Sequence, residues 1–330
     1  VSGVLVTAAA LAHLRWDSRS ATPRPLVVLL HGVGGGREAW GAAGSGSGAA
    51  LAAAGFTAMA VDFPGYGLSA PVDPCDLAGM AAVVARLIDP LGLGPALRVS
   101  HSMGDMVAQA LTARLPQAAV GLVLASSSPA FGKPGGDWQR DFLQSRFAPL
   151  DAGAGMAGMA GMAGMAGMAG VAGVAGMAGL AAQRVPAMLA PDSPAWVRAN
   201  AQPLMASVPE STYRSAVAAR VAFDRRANLP LIKVPTRVIT GELDKTAAPR
   251  WRARWPSASL ARCYRPCRVP AICCRSSNPT PSIPRCWPFW PAADVTGDLQ
   301  CLPCLKSPNA LPKAFRKAPL KRQPSRLSPV

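Results

Sequence analysis

Residues 96–115, ALRVSHSMGDMVAQALTARL, decide the fold. ALRVS (96–100) reads as a short buried strand, and MVAQALTARL (106–115) as a helix that stops before Pro116. Between them, HSMGD leaves room only for a sharp turn. Ser102 therefore sits at a strand-to-helix junction. A strained turn there holds the hydroxyl up and exposed, and the helix N-terminus behind it favours developing negative charge. The neighbours two before and two after must be small for strand and helix to pass closely, and Ser100 and Gly104 are. Ser-x-Gly strings are common in any protein, so it is the placement that gives this one its meaning.

The elements on either side continue the alternation. PLVVLL (25–30) reads as a buried parallel strand running into the Gly-rich HGVGGG. FTAMAVD (56–62) is a second strand, ending in the turn PGYG. Residues 76–91 form a predicted helix whose Leu77, Met80, Val83, Val84, Leu87 and Ile88 share one face. VGLVLA (120–125) and VPTRVIT (234–240) are further strands. Strands alternating with helices imply a doubly wound, mostly parallel α/β sheet.

Roughly a hundred mostly helical residues separate the last two strands. An insertion there lies over the strand ends, where such sheets bind ligands. The division that follows is a core over 1–130, a helical lid over 131–230, an acid-bearing strand and loop over 231–249, and a tail over 250–330. Inside the lid, residues 156–179 are consecutive Met-Ala-Gly or Val-Ala-Gly triplets. Glycine at every third position weakens a helix by about 1 kcal/mol per glycine relative to Ala. The uncharged stretch is long enough to cross a bilayer, but Gly and Ala keep its hydrophobicity low. An expanded tandem repeat forming a loose lid segment is the expectation, not a membrane span.

The net charge of +17 suggests nucleic acid until its position is examined. Residues 250–330 hold fifteen Lys or Arg against Asp294 and Asp298, which is +13 of that total. The body is close to balanced, so basicity says little about what the folded part binds. Seven of the eight cysteines also lie in the tail, leaving Cys75 in the body. A secreted disulfide scaffold would spread its cysteines through the core, so a cytoplasmic protein is expected. The first twelve residues are apolar, but without a preceding basic region they do not read as a signal peptide.

A nucleophilic Ser102 needs donors for an oxyanion. The backbone N–H of Met103 is one candidate. His31-Gly32-Val33-Gly34, the loop after an earlier strand, supplies another in Val33 N–H. A plain Gly-rich turn is the bland alternative, and a phosphate-binding loop is excluded by the missing Gly-Lys-Ser/Thr ending. Asp244, in GELD directly after the last strand, stands where an acid would orient a histidine.

HGVGGG, VDFPGYGLS, HSMG and GELDKTAAP, in this order, resemble the α/β-hydrolase superfamily across residues 20–249. SSSPAFGKPGGDW (126–138) and AFDRRANLPLIKVPT (222–236) are most like stretches of the 3-oxoadipate enol-lactonase group. The resemblance implies hydrolysis of a small ester or lactone through an acyl-serine, with no cofactor and no metal.

The pattern breaks at the base. The resemblance implies a histidine some 25–30 residues after the acid, in a Gly-x-Gly-His-like loop. The histidines of this chain are His13, His31 and His101, all upstream of Asp244. His101 adjoins Ser102 and is expected to point away from it; His31 belongs to the oxyanion loop.

The residues after 249 suggest why. They have no period of two, three or four, and are rich in Arg, Pro, Cys, Ser and Trp, as GC-rich DNA read out of register would be. Arg268 to Trp290, back-translated with suitable synonymous codons and read from the third base, permits GAGHLLPIEQPDAFNPALLAFL. That is a histidine loop followed by an amphipathic helix, with the histidine codon straddling Ala271 and Ile272. A frameshift near residues 247–251 is the expectation. Loss of the last strand and helix would expose a sheet edge and remove core packing, which predicts marginal stability. Asp105 and Ser100 stand where the family usually has glycine, each one base change away. Other roles for the tail are weaker. Cys273, Cys274, Cys301 and Cys304 have no regular paired spacing and no histidine, so zinc is not expected. The basic end has no aromatic platform or recognised module, so nucleic-acid binding is not expected. Disorder is the default for so many prolines and cations without a core.

Overall fold

The computed structural model describes residues 3–239, apart from residues 9, 19, 21–23, 42–45, 90–93, 127, 133–136, 164–175, 192 and 194. Asp244, strand residue 240 and the whole 250–330 tail lie outside the described residues.

Among the described residues, seven strands form one sheet: β1 (Val4–Ala8), β2 (Leu11–Trp16), β3 (Arg24–Leu30), β4 (Phe56–Val61), β5 (Ala96–His101), β6 (Ala119–Ala125) and β7 (Thr236–Ile239). Their spatial order is β1-β2-β4-β3-β5-β6-β7. The pairs from β4 to β7 are parallel, while β1 with β2 and β2 with β4 are antiparallel. The expected strands all form. The β1–β2 hairpin is an addition, built from the apolar N-terminal residues to which sequence reading assigned no structure.

Three helices cover the core: α1 (Gly46–Ala53), α2 (Leu77–Ile88) and α3 (Met103–Arg114). Alternation along β3 shows how the layers divide. Leu26, Val28 and Leu30 pack with Met80, Val84 and Val107 of α2 and α3. Val27 and Leu29 face the other way, toward Trp16, Trp40 and Leu51 of the α1 side. A side-chain period of two puts successive residues on opposite faces, so a strand buried on both reads as a continuous apolar run. α2 begins where sequence reading placed it, because the Asp76 carboxylate accepts from Gly79 N–H at 2.6 Å and caps the helix.

Among the described residues, four α-helices lie between β6 and β7: α4 (Trp138–Ala163), α5 (Gly176–Met188), α6 (Ala195–Ala206) and α7 (Glu210–Val221). The ends of the triplet run are helical, closing α4 and opening α5. Their buried residues, among them Leu150, Leu180, Val185, Val197, Met205, Tyr213 and Val217, join the same apolar cluster as α2 and α3. The described parts of these helices are therefore packed onto the body, while residues 164–175 of the triplet run lie outside the described residues.

Candidate active site

The turn between β5 and α3 is strained at one residue. Ser102 has φ 54° and ψ −112°, a conformation that L residues rarely adopt. Its neighbours hold it there. Ser102 N–H donates to the Ala125 carbonyl at the end of β6 at 2.8 Å, and the Ser102 carbonyl accepts Asp105 N–H at 3.1 Å. Gly104 is where α3 meets β3. A Cβ on Gly104 would overlap the Leu30 carbonyl oxygen and lie 2.8 Å from that of His31. Ser100 does not crowd the crossing, because its fully buried hydroxyl donates to the Val123 carbonyl at 3.0 Å.

The HGVGGG loop lies against this turn. A Cβ on Gly32 would meet Ser102 Cβ at 3.4 Å and His101 Nδ1 at 2.9 Å. The orientation of its peptides follows from what their carbonyls touch. The Gly32 carbonyl lies 2.8 Å from His31 Nδ1 and accepts Gly35 N–H at 3.0 Å. Phe63 N–H donates to His31 Nε2 at 3.1 Å, so Nε2 carries the lone pair and Nδ1 the proton. A trans peptide points its N–H opposite to its C=O. With the Gly32 carbonyl turned toward His31, Val33 N–H is turned away from it. The Val33 carbonyl is fixed in its own right by Tyr66 Oη–H at 3.0 Å. Met103 opens α3, so its N–H is one of those with no acceptor within the helix.

The three histidines differ in what they can do. His31 has no exposed surface, and burial holds its imidazole down at about 4, so it is neutral at pH 7. Both its ring nitrogens are engaged, and its ring packs on Phe63 and Tyr66 with centroids 4.7 Å away in each case. His101 was expected to turn away from Ser102. Instead it lies against Gly32 and lines one cavity with Ser102. Burial, with His31 nearby, also holds His101 at about 4. His13 sits in β2 opposite Val61 of β4. Asp105 is fully buried in the first turn of α3.

Two cavities open at Ser102. One is largely apolar, with Val185, Leu189, Ala201, Leu204 and Met205 on its walls. The other carries Tyr213, Phe131 and Phe142 together with Arg146, Arg184 and Arg220. Of the residues that sequence reading singled out, Ser102 and Val33 line both cavities, and Met103 follows Ser102 at the start of α3. Sequence reading missed the arginines, which come from three different helices. Asp244 lies beyond the described residues. No cluster of His, Cys, Asp and Glu able to hold a metal ion occurs among the described residues. Nor is any of their helices long and apolar enough to cross a membrane.

A mostly parallel sheet with a strained serine between its central strand and a helix, facing a Gly-rich loop, is the arrangement of α/β hydrolases. Residues 25–161 match the family model described as alpha/beta hydrolase fold, and this match supports the α/β-hydrolase superfamily. Among solved structures, the enol-lactonase of Burkholderia xenovorans superposes with a TM-score of 0.60 at 21% identity, over 78% of this chain and 88% of that one. An esterase from Exiguobacterium antarcticum gives 0.60 at 18%, over 78% and 88%. Among curated proteins, the chain is 37% identical over 128 residues to the pimeloyl-[acyl-carrier protein] methyl ester esterase of Sodalis glossinidius, covering 39% of this chain and 46% of that protein. It is 39% identical over 101 residues to the dihydrolipoyllysine-residue acetyltransferase component of the acetoin cleaving system of Cupriavidus necator, covering 30% of this chain and 26% of that one. The chain thus spans less than half the length of these curated relatives.

Proposed function

We propose that the site is that of a serine hydrolase for a small carboxylic ester or lactone, with Ser102 as nucleophile. The observation that carries this reading is the backbone of Ser102, held at φ 54° where two cavities meet. Strain of this kind persists only where the surroundings impose it, and it serves to present a side chain. Ser102 Oγ attacks the ester carbonyl carbon. The carbonyl oxygen gains negative charge and is met by Val33 N–H and Met103 N–H. The alkoxide leaves with a proton, giving an acyl-serine that water then hydrolyses. The names of the pimeloyl ester esterase and of the enol-lactonase are in keeping with this chemistry.

Asp244 is the acid in this reading, and the base it would orient is not encoded after it. Of the upstream histidines near the site, His31 has both ring nitrogens committed and cannot replace it. We ascribe the missing base to a frameshift near residues 247–251, and the chain as written is then impaired. The missing base also favours a second reading, a remnant that binds acyl ligands without turning them over.

A fluorophosphonate probe tests the nucleophile. Labelling that disappears in Ser102→Ala supports a competent serine. A folded protein that takes up no probe at any concentration supports the binding remnant.

A further inference from the structure

Gly34, Gly35 and Gly36 follow Val33 directly, and three consecutive glycines have no side chains to anchor them. Their path must be set from outside. The turn after β4 does this through Asp62. One carboxylate oxygen, Oδ1, accepts Arg37 N–H at 2.7 Å. The other, Oδ2, accepts Leu68 N–H at 3.3 Å and takes the Arg37 guanidinium. Asp62 has no exposed surface. Burial pushes its carboxyl up, and the bonds from Arg37 and Leu68 pull it back down.

Asp62 is itself held on both sides of its main chain. Its N–H donates to the Ala12 carbonyl in β2 at 2.9 Å, and its carbonyl accepts Ser69 Oγ–H at 2.9 Å. Ser69 Oγ in turn accepts Ala12 N–H at 2.9 Å. The clasp is therefore rooted in the sheet. Glu38 offers the Arg37 guanidinium a rival partner at 2.7 Å, but Glu38 is 48% exposed, and solvent screens that pair. From the other side α6 closes on the glycines. A Cβ on Gly34 would meet Met205 Cγ at 3.1 Å. One on Gly36 would lie 3.3 Å from Asp62 Oδ1 and 3.6 Å from Leu204 Cδ1. The backbone at Gly36 thus runs between the buried carboxylate and the helix.

We infer that Asp62, clasped by Arg37, is a positioning residue of the oxyanion site. It touches no substrate. It fixes the far end of the loop that carries Val33 N–H, as His31 and Phe63 fix the near end, so that the donor is in place before charge develops. This rests on the hydrolase reading of Ser102 and adds to it the group that holds the loop.

The test compares the full chain with Arg37→Gln, Asp62→Asn and Arg37→Lys by amide hydrogen exchange. Arg37 is at the rim, so Arg37→Gln carries the test even where the buried Asp62→Asn folds poorly. In Arg37→Gln and Asp62→Asn the peptide covering 31–41 should exchange about tenfold faster, while peptides from β5 and α3 keep their rates. Arg37→Lys keeps the charge and should stay within about threefold of the unaltered chain. Equal exchange of 31–41 in all folded chains overturns the inference, and so does acceleration of every peptide together.

Phenylboronic acid supplies the second readout. Ser102 Oγ adds to boron, its hydroxyl proton goes to the buffer, and the anionic tetrahedral adduct puts a boron-bound oxygen at the oxyanion donors. Addition is an equilibrium and reaches it without a histidine. Boron NMR should show the adduct weakened by about tenfold in Arg37→Gln. A loosened loop with unchanged boronate affinity overturns the inference. Failure of the hydrolase reading looks different: the loop loosens as expected, yet the unaltered chain forms no adduct that Ser102→Ala removes.

Discussion

Tyr66 Oη donates to the Val33 carbonyl at 3.0 Å, which ties the turn after β4 to the loop after β3. The bond matters because Val33 contributes two peptides. One faces Tyr66 through its carbonyl, and the other has its carbonyl turned to His31. Between them they leave Val33 N–H little freedom to swing out of line.

Tyr66→Phe should therefore act on rate more than on stability. One hydrogen bond contributes about 1 kcal/mol to folding, and the ring keeps its packing. In a chain returned to the histidine-encoding frame, the second-order rate of Ser102 labelling by a fluorophosphonate should fall by about tenfold on Tyr66→Phe, because an oxyanion donor that wanders loses part of its value. Parallel melting curves and labelling time courses check this. An unchanged labelling rate would deny Val33 N–H a part in holding the oxyanion.

His31 gives the fold a pH dependence of known sign. Its folded-state proton affinity is lowered to about 4 from 6.5. Its contribution to stability is complete above the unfolded value and is lost as pH falls from 6.5 through 4. The linkage amounts to about 3 kcal/mol across that window. Chemical denaturation between pH 7.5 and 4 should show stability declining below pH 6.5. In His31→Gln, which can still donate and accept, the decline should be shallower and the stability at pH 7 lower by about 1–3 kcal/mol.

Gly104→Ala should be far more damaging than an alanine in an ordinary helix, where it would stabilise by about 1 kcal/mol relative to glycine. The added carbon overlaps the Leu30 carbonyl, which is backbone and cannot rotate aside. A loss of about 3 kcal/mol or more is expected, read as a drop in soluble yield and melting temperature. Gly94 offers a control: an added Cβ there would find nothing within 4 Å, but its φ is 74°, so alanine adds backbone strain alone.

The parallel core and the elbow were legible in the sequence because a strand buried on both faces leaves an apolar run, and because Ser102 stands between such a run and a helix with the small Ser100 and Gly104 two residues to either side. What escaped did so for physical reasons. Between β1 and β2, Ala10 takes φ 63° where a glycine or asparagine would advertise a turn. α1 is GSGAALAA, which reads as a linker. Its glycine is needed for packing, since a Cβ on Gly48 would run into the Trp16 indole. Arg98, in the middle of β5, is buried at 1% exposure and donates through its terminal nitrogens to Thr112 Oγ1 and the Ala118 carbonyl. Arg146, Arg184 and Arg220 are far apart in sequence and look like three solvated helix faces until the helices are brought together. The roles of Ser102, Val33, Met103 and Asp244 are proposals, and they stand or fall together on whether restoring a histidine restores turnover.

Two chains should be assayed side by side for turnover of p-nitrophenyl acetate: this one, and one whose codons after residue 247 are returned to the frame that reads GAGHLLPIEQPDAFNPALLAFL. Losing the base costs a serine triad on the order of 10⁶ in kcat. The expected result is turnover in the second chain at least about 10⁴-fold above the first, abolished there by Ser102→Ala. Equal, Ser102-dependent turnover by both chains would contradict the need for that histidine.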